Sequence, residues 1–227
     1  MKEFRVIRKL PRNGDVFVGR ILVRPSEAKP GLSITKTPRG ESLLNFSGVG
    51  FFVYGEKMIQ IYTGNGKGKT TAAIGLAIRA LGHNKNVSII QFFKDKKFYG
   101  EQKVLKHLKN LKIYSFASKH PHFYKNIKIE DIKNECEKAL EKIAKIIKEK
   151  KCDLLILDEL NIAIRDKYID VEKIVRLLKN KPKKMEIVIT GRNAHKKILK
   201  LADLITDMRL VKHPYYTGIK SRKGIEY

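Results

Sequence analysis

Between residues 58 and 77 the chain passes from an apolar segment through a glycine loop straight into a helix-forming stretch, and few folds accept that order. Met58-Ile59-Gln60-Ile61-Tyr62 reads as a buried strand, Gly64-Asn65-Gly66-Lys67-Gly68-Lys69-Thr70-Thr71 as the loop, and Ala72-Ala73-Ile74-Gly75-Leu76-Ala77 as the start of the helix. Glycines let backbone N–H groups turn toward one point, and the helix N-terminus adds partial positive charge there. Lys69 brings a full charge, and Thr70 offers a hydroxyl to Mg²⁺. Such a loop is a cradle for a polyphosphate. The usual P-loop spacing requires a glycine five residues before Gly68, where this chain has Thr63, and the glycine comes one place later at Gly64. The shift suggests a P-loop subgroup with its own loop geometry. The competing reading, a Gly-rich turn that binds nothing, sits badly with a strand on one side and a helix on the other.

From Lys57 onward strand and helix patterns alternate. After the loop helix come Val87-Ser88-Ile89-Ile90-Gln91-Phe92, a helix near Glu101–Leu108, and Leu111-Lys112-Ile113-Tyr114-Ser115-Phe116. A long amphipathic helix is expected from about Ile129 to Lys148, with Ile132, Cys136, Ala139, Leu140, Ile143, Ala144 and Ile147 on one face. The strands Asp153-Leu154-Leu155-Ile156-Leu157 and Glu186-Ile187-Val188-Ile189-Thr190 follow, with no helix assigned between them, then a helix through Ile198-Leu199-Leu201 and a last strand within Asp203–Met208. Continuous apolar strands alternating with helices imply an α/β, P-loop NTPase-like fold, a mostly parallel sheet with helices on both faces. Ligands of such a sheet bind at the carboxyl ends of its strands. Residues 1–56 read differently. Short alternating segments, Phe4–Arg8 and Asp15–Val23, are separated by Pro11, Gly14, Pro25, Pro30 and Gly31, and a third strand is expected around Gly50–Tyr54. This predicts a small β-rich N-terminal extension before a P-loop domain at 57–227.

Leu154-Leu155-Ile156-Leu157-Asp158-Glu159 is an apolar strand ending in two acids, which places Asp158 and Glu159 as candidate Mg²⁺ ligands, direct or through water. Alone, either acid could instead cap the next turn. Thr190-Gly191-Arg192-Asn193 ends a later strand and should open onto the same edge. Arg192, a permanent cation with fork geometry, suits a triphosphate or a substrate carboxylate, against the alternative of a solvated turn residue. His213, in the irregular tail, is either a ligand contact or a packed or solvated imidazole.

The formal net charge of +26 would attract any polyanion. Its lysines are scattered over helices beside glutamates, such as Lys138, Lys142, Lys145 and Lys148 with Glu137, Glu141 and Glu149, which reads as a solvated helical face rather than a nucleic-acid patch. No apolar run is long enough to span a bilayer, the first residues are not a secretory signal, and Cys136 and Cys152 have neither metal nor disulfide spacing. A soluble cytoplasmic protein with reduced, packing thiols is expected.

Four segments together resemble the P-loop corrinoid adenosyltransferases: Gly64–Thr71, Leu157-Asp158-Glu159-Leu160-Asn161, Thr190-Gly191-Arg192-Asn193-Ala194, and the ending from Val211-Lys212-His213-Pro214-Tyr215 through Gly224-Ile225-Glu226-Tyr227. They occur in the right order over residues 57–227, and the displaced first glycine is itself a mark of that family. The resemblance implies transfer of the 5′-deoxyadenosyl group of ATP to the Co(I) centre of cob(I)alamin or cob(I)yrinic acid a,c-diamide, with release of triphosphate. It implies that Lys69, Glu159 and Arg192 serve catalysis, that Gly64 to Thr71 hold ATP, that Thr70, Asp158 and Glu159 hold Mg²⁺, and that Phe116 and His213 contact a substrate. Lys69, Lys67 and the loop amides would stabilise the departing triphosphate. Where the family usually has a Gly-Phe-Thr-Trp-like segment on the corrinoid side, this chain has Ser115-Phe116-Ala117-Ser118-Lys119-His120-Pro121-His122-Phe123-Tyr124 and no tryptophan. Phe116 would keep the aromatic contact and Phe123 or Tyr124 replace the missing ring, with His120 or His122 able to approach cobalt; a plain surface loop is the alternative. The implied partners are ATP, a corrinoid, a reductase that supplies Co(I), and a second copy in a homodimer. Two other readings stay open: an NTP hydrolase working on nucleic acid, and an ATP- or corrinoid-binding protein without turnover.

Overall fold

The computed structural model describes residues 4–6, 19–21, 33–36, 42–46, 49–50, 58–95, 99–121, 124 and 127–226. The chain divides into two compact units, Met1–Glu56 and Lys57–Tyr227. In the first, β1 (Phe4–Val6) pairs antiparallel with β2 (Gly19–Ile21), and β3 (Ser33–Lys36), β4 (Ser42–Phe46) and β5 (Val49–Gly50) form an antiparallel meander. The expected strand residues Phe51–Tyr54, Asp15–Val18 and Leu22–Val23 lie outside the described residues.

The second unit runs β6 (Ile59–Thr63), α1 (Lys69–Gly82), β7 (Val87–Phe92), α2 (Gly100–Leu105), β8 (Leu111–Phe116), α3 (Ile129–Glu149), β9 (Leu154–Asp158), α4 (Leu160–Arg165), α5 (Val171–Lys179), β10 (Glu186–Thr190), α6 (Lys196–Leu199) and β11 (Leu204–Asp207). Its six strands form one sheet in the order β11-β6-β10-β9-β7-β8, and every pairing is parallel. Both faces are covered. On one, Ala73 and Ala77 of α1 pack on Ile89, Ile156 and Val188. On the other, α3 and α5 cover Ile90, Leu155, Leu157, Ile187 and Ile189. This double burial is why β7 and β9 are buried along their whole length instead of alternating. Each fully buried Ile or Leu there contributes about 1.5–3 kcal/mol.

The helix α3 begins at Ile129 as expected and carries Ile132, Cys136, Ala139, Leu140, Ile143, Ile146 and Ile147 inward. Its lysines face out, except that the Lys142 ammonium lies 4.1 Å from the ring centre of Tyr114. The helices α4 and α5 fill the stretch to which the sequence pattern assigned none. Asp170 caps α5 by accepting the Glu172 N–H at 3.0 Å, and Ile174 and Leu178 anchor it in the core. Among the described residues no helix is long and apolar enough to cross a membrane.

Strand order fixes what meets at the carboxyl edge. β10 lies between the loop strand β6 and the acid strand β9, and β7 flanks β9 on its other side with Gln91 in register with Asp158. Thr63, Phe92, Asp158 and Thr190 therefore end their strands along one edge.

Candidate functional site

Thr63 explains the displaced glycine. It is still a strand residue, in register with Asp207 of β11, and its hydroxyl accepts the Ala194 N–H at 3.3 Å. The loop leaves the sheet only after it, and packs against the segment that follows β11. The Gly66 N–H donates to the Met208 carbonyl at 2.6 Å, and a Cβ on Gly66 would sit 2.6 Å from that oxygen and 2.7 Å from the Arg209 carbonyl, so no larger residue fits.

The Lys69 ammonium, buried at the start of α1, donates to the carbonyls of Gly64 at 2.8 Å and Gly66 at 2.6 Å. Burial pushes its pKa down; Glu159 and Asp207 oppose that shift, while Arg192 adds to it. Lys67 turns elsewhere. Its ammonium donates to the Ile225 carbonyl at 3.1 Å and the Glu226 carboxylate at 3.0 Å, so the tail lies against the loop, and Arg222 holds Glu226 from the other side at 3.0 Å. Asn65 and Thr71 are exposed at the loop tip and on the first turn of α1.

Asp158 is the centre of the polar network. Its Oδ1 accepts from the hydroxyls of Thr70 at 2.8 Å and Thr190 at 2.6 Å, and its Oδ2 accepts from Lys94 Nζ at 2.8 Å and Gln91 Nε2 at 3.3 Å. Gln91 is itself set by Gln102 of α2, whose Nε2 donates to Gln91 Oε1 at 2.7 Å. Burial works against the Asp158 carboxylate, but the Lys94 ammonium and the bonds from Lys94, Thr190 and Thr70 prevail and hold its pKa below the ordinary carboxylate value. Glu159 differs. Burial and the neighbouring Asp158 charge raise its pKa, against Lys94, Lys69 and Arg192. It stands in a left-handed conformation with φ 62°, its N–H bonded to Thr190 Oγ1 at 2.9 Å. That bend directs α4 away from the strand, and Asn161 Nδ2 ties it to the Gly191 carbonyl at 3.1 Å.

Arg192 is exposed at the end of β10, close enough to bias the ionisation of Lys69 and Glu159. The structure thus brings Lys69, Thr70, Asp158, Glu159 and Arg192 to one edge. Beside them an open cleft of about 570 Å³ lies between the ends of β6, β10 and β11, lined among others by Gly64, Asn65, Asn193, Asp207 and Arg209.

Phe116 ends β8 in register with Phe92, and its carbonyl accepts the Phe93 N–H at 3.3 Å. His120 stands 3.0 Å from Asp166 Oδ2 through Nε2, with its ring edge-on to Phe93 at 4.7 Å and near Tyr168 at 6.1 Å. Tyr124 is exposed, with Lys119 Nζ 5.6 Å from its ring centre. His122 and Phe123 lie outside the described residues. His213 packs on Tyr216 in the tail, ring centres 6.3 Å apart, beside the 3-10 turn Pro214–Thr217. Lys94, Gln91 and the Thr190 hydroxyl are the members of the site that sequence reasoning missed; a lysine just beyond the carboxyl end of β7 was the available signal.

Among the described residues no three His, Cys, Asp or Glu side chains converge as a metal set. A divalent ion here would draw on the Thr70 hydroxyl and the Asp158 carboxylate, whose oxygens already lie 2.8 Å apart, with phosphate oxygens completing its shell. Hard oxygen donors of this kind fit Mg²⁺.

A family model described as ATP:corrinoid adenosyltransferase BtuR/CobO/CobP matches residues 55–227. A corrinoid adenosyltransferase of Sinorhizobium sp. is 37% identical over 172 residues, 75% of this chain and 80% of that protein. The corrinoid adenosyltransferase of Escherichia coli K12 is 34% identical over 171 residues, 75% of this chain and 85% of that protein. Corrinoid adenosyltransferase CobA of Salmonella typhimurium is also 34% identical, over 170 residues, with 75% and 85% covered.

Proposed function

The chain belongs to the ATP:corrinoid adenosyltransferase family, and from that premise we propose that its Gly64–Thr71 loop holds the triphosphate of ATP while the ribose C5′ faces the Co(I) centre of a corrinoid substrate. The reaction is adenosyl transfer. The electron pair of Co(I) forms the cobalt–carbon bond, and the C5′–O bond breaks with its electrons going to the inorganic triphosphate. No protein nucleophile is needed.

The observation that carries this reading is the convergence of Lys69, Thr70, Asp158 and Glu159 at one sheet edge, with Arg192 in electrostatic reach. Charge builds on the leaving triphosphate, and in this reading Lys69 and the amides at the start of α1 stabilise it. Lys69 exchanges two neutral carbonyl acceptors for anionic oxygens, which strengthens its bonds. Arg192 supplies a second cation, within electrostatic reach of Lys69 and Glu159. When bound, Mg²⁺ adds charge stabilisation of the leaving group, held by Thr70 and Asp158 with Glu159 beside it. Phe116 and His213 are assigned to the substrate-binding surfaces, the first on the corrinoid side. A separate reductase supplies the electrons that make Co(I), and the protein works in the cytoplasm as a homodimer.

The test is one incubation with ATP, Mg²⁺ and chemically reduced cobalamin. The expected result is the spectrum of an adenosylated corrinoid and one triphosphate per turnover. Orthophosphate with an unchanged corrinoid spectrum would instead favour a hydrolase, and bound ATP without any product a non-catalytic binder; either result overturns the proposal.

A further inference from the structure

The place where Thr70 and Asp158 would meet a divalent ion is held by the chain itself. The Lys94 ammonium lies 2.9 Å from Thr70 Oγ1 and 2.8 Å from Asp158 Oδ2, and the side chains of the ion pair are 8% and 2% exposed. The Thr70 hydroxyl donates to Asp158 Oδ1 while accepting from Lys94. Every oxygen of the Thr70–Asp158 pair is engaged. Lys94 is also firmly placed. It follows Phe93, a left-handed residue with φ 57° whose N–H is bonded to Phe116 and whose ring packs on His120, and the Tyr99 ring centre lies 5.1 Å from its ammonium. Asp158 and the nearby Glu159 and Glu101 hold its charge against the effect of burial.

A buried ammonium and a divalent cation make the same demand on these oxygens and cannot both be satisfied by them. Resting on the assignment of Thr70 and Asp158 to the metal, we infer that Lys94 is a resident counter-ion that closes the pair to free divalent ions, so that metal enters only together with nucleotide. The nucleotide makes the exchange favourable in two ways: its phosphate oxygens complete the metal's shell, and they give the displaced ammonium an anion to face. Lys94 is thus a positioning residue that couples metal loading to substrate binding.

The probe is Mn²⁺, followed by electron paramagnetic resonance on the full chain without nucleotide. The wild-type protein is expected to bind no Mn²⁺ below millimolar concentration, whereas Lys94→Met gains a site at least about tenfold tighter. Adding Asp158→Asn to Lys94→Met removes the gain. Lys94→Gln, which keeps a donor for Asp158 while removing the charge, serves if the Met variant does not fold, and Mn²⁺ should raise the melting temperature of either variant but not of wild type. Wild-type binding as tight as that of the variants overturns the inference, and so does the absence of a gain in both. Calorimetry separates this from the underlying assignment. Wild type should bind ATP more tightly with Mn²⁺ than without, and Asp158→Asn should abolish the difference. If that difference is present but the Lys94 variants gain nothing, only the counter-ion role falls; if it is missing in wild type, both fall.

Discussion

The charge of Lys69 is prepositioned by the loop it serves, because the carbonyls of Gly64 and Gly66 hold its ammonium at the loop's centre. Lys69→Ala should therefore lower kcat for adenosylation by at least about 10²–10³-fold, with the far-ultraviolet spectrum unchanged; near-normal turnover would mean that the cradle does not hold the leaving group. Gly191 is under a different constraint. Its φ is 121°, and a Cβ there would lie 3.0 Å from Asn161 Cβ and 3.2 Å from Glu159 Oε2. Gly191→Ala should cost about 1–3 kcal/mol of stability and disturb Glu159, read as a lower midpoint in urea together with reduced turnover. Cys136 gives the pH-dependent case. Burial pushes its thiol from 9.0 up to about 12, so the thiol ionises first in the unfolded chain and stability falls as pH rises between those values. At pH 8 its native thiolate population should lie far below that of a free thiol. Fast native labelling of Cys136 by a disulfide reagent would contradict its packing in α3.

At the scale of elements, stability rests on helices that cover both sheet faces, and α5 tests this directly on one of them. Ile174 is fully buried, so Ile174→Ala should cost about 2–5 kcal/mol, measured by chemical denaturation. The same helix marks what the sequence hid. Strands β7, β9 and β10 were legible because a strand buried on both faces reads as a continuous apolar run, and α3 because its inward residues recur over many turns. With nine residues, α5 offers few such repeats. The six-residue α4 follows Glu159, a glutamate in a left-handed conformation whose N–H is bonded to Thr190 on the neighbouring strand, a bend that local propensity does not announce. The site divides in the same way. Asp158 and Glu159 were legible as acids ending an apolar strand, and Lys69 by its glycines. Lys94, Gln91 and Thr190 were not, because they reach Asp158 only when β7 and β10 flank β9, and apolar patterning carries no record of strand order.

For the whole molecule, every residue assigned to the site lies in Lys57–Tyr227, one of the two compact units. A chain beginning at Lys57 should keep kcat/KM for ATP and reduced cobalamin within about threefold of the full protein; a collapse of activity would give the first 56 residues a part in catalysis. The sheet order also has a consequence in time. Strand β6 pairs with β10 and β11 through residues 187–190 and 204–207, far downstream of its own residues 59–63. On a ribosome adding about 5–20 residues per second, both edges of β6 stay bare for on the order of ten seconds, with Ile59 and Ile61, 6% and 0% exposed once folded, open to other chains. The phosphate loop is translated early in its domain but gains its shape late, because the strand that carries it must wait for both of its neighbours.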